Sequence, residues 1–371
     1  MRVLIASDKF KGSATGAEVA ASLGDGIRSV IPDADIEAVP VADGGEGTVE
    51  AAIASGFEAV SARVAGPTGA PLDARFAVRG AEAIIEMAAA SGLDVLPRGE
   101  KAPLTATSHG TGDLIAAALD RGCTTIVLGV GGSANTDGGA GMLQALGVSL
   151  RAADRPVRPG GAALTELVDV DISGLDPRLA GATIVLASDV DNPLLGDRGA
   201  AAVFAPQKGA SADDVAALEA GLRRFSELLE QQPGVRPAAD APGAGAAGGV
   251  GYAALAVLHA RREPGIDVVQ RLTGLADRLA GADLVITGEG SLDDQSLGGK
   301  TPLGVAAAAR AAGVPVVAVC GRSTLSDEQV ADAGFHRVYA LSALEPDPAV
   351  SMANAASLLV AVGARIASDL A

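Results

Sequence analysis

Unbroken apolar runs, each closed by a loop of glycines and acids, constrain this chain more than any other feature. Val3-Leu4-Ile5-Ala6 runs into SDKFKGS (Ser7–Ser13), and Ile36–Val41 runs into ADGGEGT (Ala42–Thr48). TTIVLGVGG leads into SANTDGGAG, ATIVLASDV into DNPLLG, and ADLVITGEG into SLDD. A strand that is apolar at consecutive positions must be covered on both faces, which is the condition of a parallel sheet flanked by helices. Helical segments stand between the runs. Thr15 and Glu18 have the spacing of a capping box, and Val19, Leu23, Ile27 and Val30 form one stripe behind it. A second helix is expected from about Glu46 to Ser55. The β-α-β-α order predicts a doubly wound sheet, and in such sheets ligands bind outside the carboxyl ends of the strands.

The middle of the chain has another texture. From Phe57 to Met87 short runs are separated by GPTGAP and RGAE, the pattern of antiparallel strands. TGDLIAAALDRG reads as a helix stopped by Gly122, AALEAGLRRFSELLEQ as an amphipathic helix, and Tyr252–Arg261 as a helix after a Pro/Gly/Ala-rich stretch. The α/β alternation resumes near Ile266. The expected organisation is a doubly wound domain from residues 1–58 and 265–371, with a mixed α/β domain inserted over 59–264.

Composition excludes several partners. The formal net charge is −17, which argues against nucleic acid and anionic membrane surfaces. With no Trp, 2 Tyr and 6 Phe there is no base-stacking platform. No apolar stretch reaches the length of a membrane span or a signal peptide, so a cytoplasmic location is expected. Cys123 and Cys320 each adjoin a strand-like run and read as buried thiols.

The loops carry the candidate chemistry. In GVGGSANTDGGAG, Gly131 and Gly132 permit close backbone approach and an N–H nest for an anion, while Ser133 and Asn135 add donors. Asp137 suits a metal, a water or a sugar hydroxyl, or else caps the following helix. Asp189 and Asp191 stand two apart, on one side of the chain if it stays extended. Such a pair holds Mg²⁺ or aims a base at a hydroxyl; an Asx turn before Pro193 is the plain alternative. Lys9, Lys11, Lys208 and Lys300 lie beside glycine turns, where a lysine meets a carboxylate or phosphate, or simply solvent. Gly299-Lys300-Thr301 imitates the end of a phosphate-binding P-loop, but the first glycine of that motif would fall at Asp294. Thr301-Pro302 reads as a helix start. The chemistry of that segment is expected at its front, in Glu289 and Asp293.

Seven segments in order, DKFKGS, ADGGEGT, GGSANTDGGAGMLQALG, DVDNPLLG, PQKGA, PGAGAAGGVGYA and ITGEGSLDDQSLGGKTPLGVA, resemble the bacterial glycerate kinases of type I over residues 2–322. The resemblance implies a flavodoxin-like domain built from both chain ends with an inserted α/β domain. It implies transfer of the ATP γ-phosphate to D-glycerate, giving 2-phosphoglycerate (3-phosphoglycerate is the other product open), with Mg²⁺, in glycolate, glyoxylate or glucarate breakdown. On the matched motifs, Asp189 and Lys9 are the expected catalytic residues. Lys11, Ser13, Asp43, Gly44 and Glu46 are expected to bind substrate or phosphate. So are Gly131, Gly132, Ser133, Asn135 and Lys208, and Glu289 with Lys300. Asp137, Asp191 and Asp293 are expected to face the metal. A homodimer is left open. Two other classes stay in view: an NAD-dependent hydroxy-acid dehydrogenase, although no G-x-G-x-x-G follows the first strand, and a non-catalytic hydroxy-acid sensor.

Overall fold

The structure, a computed structural model, describes residues 1–42, 44–294, 296 and 301–370. The chain divides into two compact units, Met1–Asp43 with Ile266–Ala371, and Gly44–Gly265. The strands in chain order are β1 (Arg2–Ser7) and β2 (Asp35–Ala38) in the first unit. Then come β3 (Glu58–Ala65), β4 (Pro71–Arg79), β5 (Glu82–Glu86), β6 (Thr125–Gly129), β7 (Ser149–Arg151), β8 (Asp169–Asp171), β9 (Thr183–Ala187) and β10 (Arg261–Glu263) in the second. The first unit closes with β11 (Leu284–Leu292), β12 (Val316–Ser323) and β13 (Arg337–Ala340).

In the first unit the sheet is parallel throughout, in the order β13-β12-β11-β1-β2. β1 shows why its sequence is unbroken and apolar. Val3 and Ile5 enter a core built with Val19, Leu23 and Ile27 of the Gly16–Val30 helix and Leu359, Val362 and Ile366 of the Ala355–Leu370 helix. Leu4 and Ala6 point the other way, into a core with Leu275, Val305 and Ala309. Each such leucine or isoleucine contributes about 1.5–3 kcal/mol by burial. The helical stripe ends at Ile27, since Val30 is exposed. The capping box forms as predicted, the Thr15 hydroxyl accepting from the Glu18 N–H while the Thr15 N–H donates to Glu18 Oε2.

The second unit has a six-stranded mixed sheet, β10-β9-β6-β5-β4-β3. β3, β4 and β5 are antiparallel, as the short runs separated by GPTGAP and RGAE predict, and β5, β6, β9 and β10 run parallel. The boundary expected after residue 58 lies at 43 instead. The Thr48–Ala54 helix buries Val49, Ala51 and Ala52, and Glu86 at the end of β5 accepts the Gly47 and Val49 N–H groups at its start. The helix expected over 252–261 ends at Ala256, and its span Ala246–Ala256 is kinked by left-handed backbone at Ala247, Gly248 and Gly249. It cannot continue because His259 takes a positive φ, and Arg261–Glu263 instead forms the edge strand β10.

Candidate active site

In the first unit, the loops after β1 and β11 open onto a cavity of about 580 Å³. Asp8, Lys9, Lys11 and Ser13 come from the loop after β1, and Glu289, Ser291 and Asp293 from the carboxyl end of β11. Arg322 comes from β12. Local bonds set these groups. The Asp8 N–H donates to the Gly288 carbonyl, and Asp8 Oδ1 accepts the Lys9 N–H at 2.7 Å. The Arg322 Nε donates to Ser291 Oγ at 3.2 Å, and that hydroxyl donates to Asp293 Oδ2 at 3.3 Å. Asp294 points elsewhere, accepting from Gln329 at 2.9 Å. The cavity thus holds predicted residues from two motifs, DKFKGS and GEGSLDD, together with Asp8 and Arg322, which sequence reasoning did not select. Asp8 carried a signal, since it opens the same loop as Lys9.

The second unit gathers three further motifs at the carboxyl ends of β5, β6 and β9. A Cβ on Gly129 would stand 2.4 Å from the Gly44 carbonyl oxygen, and one on Gly44 would stand 2.4 Å from the Gly265 Cα. No side chain fits there, which is why ADGGEGT and GVGG can lie backbone against backbone. Gly44 is therefore a packing residue, while Glu46 is exposed beside it. Asp189 Oδ1 accepts the Gly265 N–H at 2.8 Å, which fixes the carboxylate just beyond β9. The pairing of Asp189 with Asp191 does not form. The chain leaves the strand at Ala187, and Asp191 is mostly exposed and bridges to Arg262 at 2.7 Å.

The glycine loop is split by burial. Gly131 is half-buried and Gly132 exposed, so the tip remains available to a ligand. The rest is inside. Asp137 is 1% exposed, and its Oδ2 accepts from the Ser108 N–H at 2.8 Å, the Ser108 hydroxyl at 2.9 Å and the Gly141 N–H at 3.2 Å. Its Oδ1 accepts from Asn135 Nδ2 at 2.8 Å and the Gly139 N–H at 3.2 Å. Its oxygens are taken up by these donors, and through the Gly139 and Gly141 N–H groups it caps the turn that starts the Ala140–Ala145 helix. Asn135 is fully buried, its Nδ2 donating to Asp137 and the Ala247 carbonyl.

Lys208 is buried with them. It is 1% exposed, its Nζ donating to Ser133 Oγ at 2.8 Å and to the Asn135 carbonyl. Burial lowers its pKa to about 7, and the Asp137 charge opposes that shift. It holds the glycine loop from beneath and occupies the Ser133 hydroxyl in doing so. Cys320 is a buried thiol raised to about 12 by burial and by Glu289, and Cys123 is buried too, as expected. Asp43 and Lys300 lie outside the described residues. Among the described residues no three His, Cys, Asp or Glu side chains form a metal cluster, and no helix is long and apolar enough to cross a membrane.

These features define a class, an α/β protein of parallel and mixed sheets with lysines and carboxylates at the carboxyl ends of its strands, where such folds bind small molecules. Comparison with known proteins gives the particular family. The model of the glycerate kinase family matches residues 3–371. A glycerate kinase of Bacillus subtilis is 44% identical over 345 residues, covering 92% of this chain and 90% of that protein. A glycerate 2-kinase of Escherichia coli K12 is 47% identical over 328 residues, covering 87% and 86%. A crystal structure from Salmonella typhimurium LT2, described as a glycerate kinase 2, superposes with a TM-score of 0.85 at 42% identity, covering 100% of this chain and 98% of that one. The chain belongs to the glycerate kinase family, and it is an ATP-dependent phosphotransferase with an alcohol acceptor. The dehydrogenase and sensor readings find no support in these matches.

Proposed function

We propose that this enzyme transfers the γ-phosphate of ATP to D-glycerate, yields 2-phosphoglycerate, and serves glycolate, glyoxylate or glucarate breakdown. The observation that carries the reading is the 47% identity to a glycerate 2-kinase over 87% of the chain. The parallel unit fits a flavodoxin-like, doubly wound domain. Counted in order of appearance along the chain, its strands lie 2-1-3-4-5, with cores on both faces.

Phosphoryl transfer asks for positioning and for charge near the transferred group, with little covalent work by the protein. Lys9 is assigned the charge on the phosphate, with Lys11 beside it on the same loop. Asp8, Glu289 and Asp293 offer hard carboxylate oxygens along one cavity, a donor set suited to Mg²⁺, which takes one or two carboxylates and completes its shell with phosphate oxygens and water. When bound, Mg²⁺ supplies positive charge to the phosphates. Of the metal ligands expected from sequence, Asp293 alone stays in this set. Asp189 is assigned the base for the accepting hydroxyl. The Gly265 N–H holds its carboxylate in one orientation, and proton abstraction needs a fixed aim. Gly131 and Gly132 are assigned to an anionic group of the substrate.

Phosphorus NMR of a mixture of enzyme, ATP, Mg²⁺ and D-glycerate tests the reading. A phosphate ester split into a doublet by the single proton at C2 is the expected product. A triplet from the two protons at C3 would replace it with 3-phosphoglycerate. No ester and no ADP would sink the assignment to glycerate.

A further inference from the structure

We propose that the cavity of the parallel unit is the nucleotide subsite, taking the purine of a nucleoside triphosphate against its apolar wall and the phosphates against Lys9, Lys11 and Arg322. The proposal rests on the kinase reading and adds to it the place and orientation of the phosphate donor.

Three observations carry it. The first is topology. From β1 the chain moves to β2 on one side, and it returns as β11 on the other, before continuing outward to β12 and β13. The order in which strands are added reverses between β1 and β11, while the strands stay parallel. The loops beyond that point diverge and leave a crevice, the usual ligand site of an open parallel sheet. The cavity is lined by those two loops, Asp8–Ser13 and Glu289–Asp293.

The second is size. About 580 Å³ lies within the range of roughly 300–1,000 Å³ that encloses ligands of nucleotide size. A three-carbon acid would fill a small part of it and leave the rest wet.

The third is the division of the lining into two chemistries. Phe10, Leu341, Pro348 and Met352 give one apolar wall, most of it from the segment after β13. That wall folds over the loop after β1, because a Cβ at Gly12 would come within 3.1 Å of the Met352 Cε. A thioether is a favourable partner for a flat aromatic ring. The cations sit on the strand-end side, where Asp8, Glu289 and Asp293 line the same cavity. A ligand that matches both halves is apolar and flat at one end and polyanionic at the other. Glycerate is neither apolar nor large, so the acceptor does not match this cavity.

Two surface variants and two ligands test the proposal by titration calorimetry on the full chain, with thermal unfolding as the control for folding. Met352 is 48% exposed and Lys11 is exposed, so neither substitution disturbs a core. Met352→Glu places a charge against the base and is expected to weaken both ATP and adenosine by about tenfold or more. Lys11→Glu is expected to weaken ATP by a similar factor and to leave adenosine unchanged. In steady state the KM for ATP rises in both variants and the KM for glycerate stays. A rise in the KM for glycerate alone, or unchanged ATP binding in folded Met352→Glu protein, would overturn the subsite. ATP binding that Met352→Glu abolishes, in an enzyme that phosphorylates no glycerate, would keep the subsite and remove the glycerate reading. An enzyme that phosphorylates glycerate and ignores both substitutions would keep that reading and remove the subsite.

Discussion

Lys11 and Lys208 stand in loops that read alike, KFKGS and PQKGA, and end in opposite settings. Lys11 is exposed on the rim of a cavity. Lys208 is sealed beneath the loop it supports, with its ammonium on Ser133 and Asn135, 75 and 73 residues away in the chain. A lysine beside a glycine turn is therefore not yet an anion site. What separates the two is which part of the chain folds back over them. Ser133 and the Asn135 carbonyl come to Lys208, whereas the segment after β13 passes Lys11 and leaves it open. The lesson extends to the acids. Asp137 belongs to the sealed set and is saturated with donors, while Asp8, Asp189 and Asp293 keep partial exposure.

If that division is right, the largest effect belongs to the sealed set. Asp137→Ala strands the Ser108, Gly139, Gly141 and Asn135 donors and removes the charge opposite Lys208. It is expected to cost about 3–5 kcal/mol in chemical denaturation. A loss below about 1 kcal/mol would place Asp137 with the functional acids after all. The next effect should appear in rate rather than stability. Asp189→Asn is expected to lower kcat by about a hundredfold with the melting temperature kept, as for a general base. Near-normal kcat would end that assignment. The smallest effect is a pH dependence. The Lys208 ammonium titrates at about 7 in the fold against 10.5 for a free lysine. Between those values the unfolded chain binds a proton that the folded chain does not, so this group's contribution to stability rises with pH across that window. Below pH 7 both states are charged and the fold bears the full burial cost. Lys208→Met removes the dependence. Its stability should lie nearest the wild type at neutral pH and fall behind as pH approaches 10.5, by about 1–3 kcal/mol with the loss of the loop's hydrogen bonds. A parallel pair of curves would mean that Lys208 is more solvated than its burial indicates.

Much of this was legible beforehand because it depends on short-range periodicity. The run of β1, the Thr15–Glu18 box and the short runs broken by turns over Phe57–Met87 are each local patterns in the sequence. They appear as a doubly covered strand, a capped helix and antiparallel strands. The motif order was legible too, and it led to the family. Asp8, Arg322 and the apolar wall at Leu341–Met352 were not legible in this way. The wall lacked the glycine signature by which the other loops were chosen, and it reaches the cavity through tertiary packing. The Tyr252–Arg261 helix failed on a backbone detail, the positive φ of His259, which the identity of that residue does not announce.

By itself the sequence determined much of the strand and helix order, the failure of the P-loop pattern at Asp294, and membership in a phosphotransferase family. All of these follow from residue order and spacing. Only the tertiary structure decided which of the glycine-flanked lysines and acids are open to a ligand. Solvent exposure and hydrogen-bond saturation depend on chain segments many residues away, and the same side chain is a ligand contact or a buried strut according to what lies across from it.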